Sequence, residues 1–293
     1  MNSTHLENQN FIAVINNFGA EPARFFDKRN SREILWDAQP EFWGRHAPVL
    51  FPTVGKLKEG YYIFEGKRYA LGQHGFARDM EWEVIDHQSD SCIYLLCSNV
   101  ETKKKYPFDF QLELEAKLCN DGISLSYAVT NTGEQKMYYS LGTHPAFHLP
   151  WKKNTTIQDY ELRFQEKEQA EILLLTTDGL RSGDRKLFLD NKNKIPLSED
   201  LFKNDALVFD NLRSSELSVI ESRTGEGFKA KWENFPHLGI WKPIGAPFIC
   251  IEPWQGMADD IKSVHQLTEK FGILSLEKNE RKEHSYQVSP IVI

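Results

Sequence analysis

The sequence has little of what a stapled or metal-built fold requires. Its four cysteines, Cys92, Cys97, Cys119 and Cys250, make no C-x-x-C pair and no Cys/His spacing suited to zinc. That excludes a disulfide framework or zinc module and leaves reduced, mostly buried thiols. No uninterrupted apolar run approaches the roughly 20 residues of a membrane-spanning helix. Residues 1–10 are polar and lack the basic and apolar regions of a secretory signal, so a cytoplasmic protein is expected. Basic clusters are short, at residues 103–105 and 152–153, and no base-stacking aromatics interleave them. Together with a net charge of -7, this argues against nucleic acid as a partner. Helical periodicity is scarce too, and residues 261–271 are the best candidate, for about three turns.

What fills the chain instead is alternation of period two. Residues 108–116 read Phe-Asp-Phe-Gln-Leu-Glu-Leu-Glu-Ala, with Phe108, Phe110, Leu112, Leu114 and Ala116 on one face. This is a half-buried strand. After Asn120-Asp121-Gly122 the alternation resumes at Ile123, Leu125, Tyr127 and Val129, which predicts a long antiparallel hairpin. Weaker versions occur at residues 11–15, 34–37, 61–71 (broken at Glu65-Gly66-Lys67), 93–97 and 187–195 (broken around Asp190-Asn191). Many short strands with turn punctuation predict an all-β fold, a large antiparallel sandwich with few short helices. No linker or internal repeat divides it, so residues 1–293 are expected to form one domain. A chain of this length buries about three quarters of its unfolded surface and needs no staple.

Three segments place titratable groups inside apolar strand text: residues 73–79 (Gln-His-Gly-Phe-Ala-Arg-Asp), 140–148 (Ser-Leu-Gly-Thr-His-Pro-Ala-Phe-His) and 248–256 (Phe-Ile-Cys-Ile-Glu-Pro-Trp-Gln-Gly). His144 and Glu252 each precede a proline, which bars an α-conformation and makes both extended. Proline also donates no ladder hydrogen bond, so each strand is expected to end or bulge there. By parity Glu252 shares a face with Phe248, Cys250 and Trp254, and a carboxylate beside an indole suits sugar binding. His148 lies four residues after His144, but Pro145 rules out the helix that would make them a metal pair. It is read as structural or as a group that supports the site from behind. Asp259 and Asp260 are read as loop-shaping, and Trp36, Trp43, Trp82 and Trp232 as mostly core.

These blocks resemble the aldose 1-epimerases, or galactose mutarotases. The likeness is closest to the branch of LacX proteins and, more distantly, to the hexose-6-phosphate 1-epimerases. Residues 43–58, the Gln-His-Gly-Phe-Ala-Arg block, Thr-His-Pro-Ala-Phe, residues 204–209 (Asn-Asp-Ala-Leu-Val-Phe) and the Glu-Pro-Trp-x-Gly block occur in the family's order. The resemblance implies a galactose mutarotase-like β-sandwich and a cofactor-free, metal-free enzyme that interconverts α and β anomers of an aldose or aldose phosphate. It makes His144 the general acid and Glu252 the general base. His74, Asp205 and Trp254 become substrate-binding residues, and Arg78 and Arg45 match arginines of the hexose-phosphate branch. The chain departs from the free-sugar enzymes near Val54-Gly55-Lys56, where it carries Lys56 and Lys58 in place of an arginine. A non-catalytic sugar-binding protein would use the same pocket. A glycoside hydrolase would need two carboxylates flanking the bond, and Glu252 pairs best with a histidine.

Overall fold

In the computed structural model, which describes residues 2–292, 52% of the chain is strand and 8% helix. The expected all-β fold is present. Fifteen strands join one large sheet, and sheets of four, two and two strands complete the structure. The alternation at residues 108–116 becomes the strand Phe110–Leu118, whose even-numbered side chains are all buried. The Asn120-Asp121-Gly122 turn returns the chain as Ile123–Asn131, with Leu114 opposite Tyr127. Both strands feed a core that draws side chains from Leu6 through to Val288.

The strand Phe248–Gln255 is buried along its whole length. Ile249 and Ile251 enter the main core, whereas Phe248, Cys250 and Trp254 fall in two smaller apolar clusters. A strand covered on both faces loses polar alternation, which is why this segment reads as almost continuously apolar text. On one edge it pairs with His237–Trp241. On the other it pairs with two short strands in succession, Leu141–Thr143 and Ala146–His148. The break between those two falls at His144-Pro145, as the proline rule predicts.

Glu252-Pro253 does not obey the same rule, because the strand runs straight through Pro253. The Ile251 N–H donates to Pro145 O at 3.3 Å, so by parity the position of the missing Pro253 N–H faces the same edge. That edge is where the ladder is interrupted at His144-Pro145, and little pairing is lost.

Three other expectations fail. Residues 34–37 form no strand beyond an isolated bridge from Leu35 to Phe147; the local strand is Arg32–Glu33. The apparent break at Asp190-Asn191 is a bulge, with Asn191 at φ 53°, inside the continuous strand Arg181–Pro196. Residues 261–271 make only the 3-10 turn Leu267–Glu269. Tertiary contacts consume the carbonyls a helix there would use: Ser263 O accepts from Lys58 Nζ at 3.1 Å and His265 O accepts from the Ile63 N–H at 2.7 Å. The α-helix lies instead at Val100–Lys105, started by a capping box between Asn99 and Thr102.

Two glycines fix the indole of Trp254. Gly142 and Gly239 lie on the strands flanking it, and a Cβ would stand 2.7 Å and 2.4 Å from the ring, respectively. Gly239→Ala is therefore expected to destabilise the fold by about 1–3 kcal/mol through overpacking and to push the indole from its seat. Denaturant unfolding checks the loss, and an unchanged midpoint with unchanged tryptophan emission refutes this account.

Candidate active site

The interrupted edge sets the geometry. Leu141 opposes Gln255 and Gly142 opposes Trp254, and continuing this register by two residues places His144 opposite Glu252. Counting back from Ala146 opposite Cys250 gives the same pair. The side chains meet with His144 Nε2 3.1 Å from Glu252 Oε2. Their exposures are 9% and 1%, so the pair is almost removed from solvent. His144 Nδ1 and Glu252 Oε2 each lack an aligned hydrogen-bond partner. Buried polar atoms are ordinarily satisfied, so two free ones facing a cavity mark a place where a ligand completes the bonding.

That cavity has a volume of about 560 Å³, within the range usual for small-molecule sites. His144, Glu252, His74, Arg78, Asp205 and Trp254 all line it; Arg45 does not. Arg45 is tied to Asp79, with its Nη2 donating at 2.6 Å. Lys56 and Lys58, the other candidate cations, donate to the Asp178 and Ser263 carbonyls. His148 also lies outside the cavity, edge-on to Trp36 at 5.4 Å. Asp259 shapes its loop as expected, accepting from the Lys58 N–H at 3.0 Å and from Lys270 Nζ at 2.7 Å.

His74 and Asp205 sit at φ 66° and 81°, a left-handed conformation that non-glycine residues hold only when surroundings enforce it. His74 Nδ1 accepts the Gly55 N–H at 3.2 Å, and the Gln73 side-chain amide nitrogen lies 3.2 Å from its Nε2. Arg78 comes from the 3-10 turn Ala77–Asp79 and donates from Nη2 to Gln73 O at 2.8 Å. Its Nε is buried without an acceptor, and the nearest carboxylate, Asp79, stands 3.7 Å away. This cation is weakly compensated. Lys242, also on the cavity wall, is by contrast neutralised by both oxygens of Glu199 at 2.7 and 2.8 Å.

Two aromatic residues here escaped the sequence analysis. Trp43, expected in the core, stacks on the His144 ring at 4.8 Å, and Trp241 meets the same ring edge-on at 5.8 Å. Trp43 left a signal as the first residue of the block at residues 43–58, and Trp241 as the end of a strand directly before Lys242-Pro243.

Burial sets the protonation of the pair. It pushes His144 down to about 3, with Arg78 and Arg45 adding to the fall. It pushes Glu252 well above the carboxylate range, and Asp205 adds to the rise. Both shifts favour a neutral imidazole beside a protonated carboxyl.

A family model described as aldose 1-epimerase matches residues 3–288. The chain belongs to the aldose 1-epimerase family. The plasmid and chromosomal LacX proteins of Lactococcus lactis subsp. lactis are each 29% identical to it, over 97% of this chain and 98% of theirs. A galactose mutarotase related enzyme from Lactobacillus acidophilus superposes with a TM-score of 0.92 at 33% identity, covering 99% of this chain and 98% of its own. A galactose mutarotase-like protein from Lactobacillus casei gives 0.93 at 30%, covering 99% and 100%. The expected mutarotase-like sandwich is thus the fold of this aldose 1-epimerase family member.

The depressed His144 pKa has a thermodynamic consequence. Between about 3 and the unfolded value of 6.5, the unfolded chain binds a proton that the folded chain refuses, so this stabilisation is lost as pH falls through that window. The unfolding midpoint of the wild type is expected to drop more from pH 7 to pH 5 than that of His144→Asn. Parallel shifts in the two proteins contradict it.

Proposed function

We propose that this chain interconverts the α and β anomers of an aldose by acid–base ring opening and reclosure. The supporting observation is the His144–Glu252 pair, 3.1 Å apart at the wall of a sugar-sized cavity. An anomer inverts only by opening its ring. Glu252 takes the proton from the C1 hydroxyl while His144 gives one to the ring oxygen, and the C1–O5 bond breaks to an open-chain aldehyde. Rotation about C1–C2 and reclosure with the roles reversed yield the other anomer. Both oxygens sit on one carbon, so acid and base must converge on adjacent atoms, and cross-strand opposition supplies that.

The pair holds one proton in total. Moving it from Glu252 to His144 changes no net charge, and bound sugar hydroxyls favour the move by restoring polar contacts to both groups. Trp43 and Trp241 hold the imidazole plane, while Trp254 offers a face to sugar C–H groups. His74, Arg78 and Asp205 bind hydroxyls around the ring.

The weakly compensated Arg78, whose buried Nε has no hydrogen-bond acceptor, favours a second reading in which the substrate is an aldose 6-phosphate. Anomerisation of fresh α-glucose, α-galactose and glucose 6-phosphate, followed side by side, separates the readings. A positioned proton transfer is worth about 10²- to 10⁴-fold, so Glu252→Gln and His144→Asn are each expected to lower kcat by at least about 100-fold. Wild-type rates in both variants overturn the assignment. If binding survives in the wild type without turnover of any of the three sugars, the protein is a sugar binder.

The shared proton also predicts the pH profile. It leaves only above the raised Glu252 value, and a second proton joins only as pH falls toward the depressed His144 value of about 3. A broad plateau in kcat/KM across neutrality is expected. A limb titrating near 6.5 would instead mark an ordinary solvated histidine.

A further inference from the structure

Cys250 stands two residues before Glu252 on the same strand face and takes no part in the chemistry above. Its sulfur, one nitrogen of His144 and one oxygen of Glu252 all lie within 4.8 Å of one another. Ligand atoms on one tetrahedral zinc stand about 3.3–3.8 Å apart, given bonds of about 2.0–2.3 Å, so the three need to close by only about 1 Å. Glu252 is buried, and its Oε2 makes no aligned hydrogen bond, only the 3.1 Å approach to His144 Nε2. Two of the three ligands line the cavity, so a cation enters by the same mouth as a sugar, and solvent supplies a fourth position.

We propose that a soft divalent cation, zinc or cadmium, binds at His144, Cys250 and Glu252 and blocks the cavity to sugar. Burial keeps the Cys250 thiol and the Glu252 carboxyl protonated, so binding releases one proton from each to solvent; the resulting thiolate and carboxylate offset the 2+ ion, and the imidazole is neutral. The donor set selects the metal class. Thiolate with imidazole favours zinc, cadmium or copper(I), whereas magnesium and calcium require oxygen ligands. This is an inhibitory site, because the ion occupies the two groups assigned to proton transfer.

Cadmium titration of the full chain tests this without reference to turnover, through the ultraviolet absorption of a cadmium thiolate. One equivalent is expected to raise that band in the wild type and in Cys97→Ser, which removes the exposed thiol. In Cys250→Ser the band is expected to vanish and zinc affinity by calorimetry to fall more than about 100-fold, beyond the loss of a supporting outer-shell group. His144→Asn is expected to keep the band at weakened affinity. Should Cys250→Ser unfold, Cys250→Ala supplies the same measurement. A band that persists without Cys250, or disappears with Cys97, overturns the site whether or not the protein anomerises sugars.

Discussion

The register along the edge of the strand Phe248–Gln255 is the constraint on which the rest depends. The short strands Leu141–Thr143 and Ala146–His148 hold the same register on either side of their break, so the two residues of the break, His144 and Pro145, fall opposite Glu252 and Ile251. A one-residue slip would turn every side chain of the short strands to the other face. His144 would then enter the main core beside Ile249 and Ile251, and Glu252 would be left a buried, unpaired acid. A buried polar group left without a partner is destabilising, so the packing that fixes the register also protects the site.

The glycines and tryptophans follow from the same requirement. The indole of Trp254 lies flat across the neighbouring strands only because Gly142 and Gly239 carry no side chains there. Trp43 and Trp241 enclose the His144 ring, removing water and leaving it a single orientation. Preorganisation of this sort is bought from the scaffold at folding, so none of it has to be supplied when a ligand arrives.

Local pattern made the strands legible. Period-two text located Phe110–Leu118 and its partner, and the proline after His144 located the strand break. What escaped was set by tertiary contact. Pro253 was tolerated because a distant segment left its edge open, and residues 261–271 lost their helical pattern to contacts with Lys58 and Ile63. Trp43 looked like core because a sequence does not say which apolar rings border a void. The candidate residues were visible through the order of their blocks, and Arg45 failed to reach the cavity because Asp79 holds it. Nothing local distinguishes an arginine that meets a ligand from its neighbour that meets a carboxylate.

Burial, finally, turns two ordinary side chains into a neutral pair. In water a single proton shared between an imidazole near 6.5 and a carboxyl near 4.5 rests on the imidazole. Here removal from solvent lowers one and raises the other, so the proton rests on the carboxyl and neither group is charged. A dry site also makes each unmet hydrogen bond costly, and His144 Nδ1 and Glu252 Oε2 are both unmet. A ring oxygen and an anomeric hydroxyl offer complementary groups on adjacent atoms, and water molecules alone lack that fixed spacing. The preference for a sugar over solvent therefore originates in the same desolvation that leaves both groups neutral.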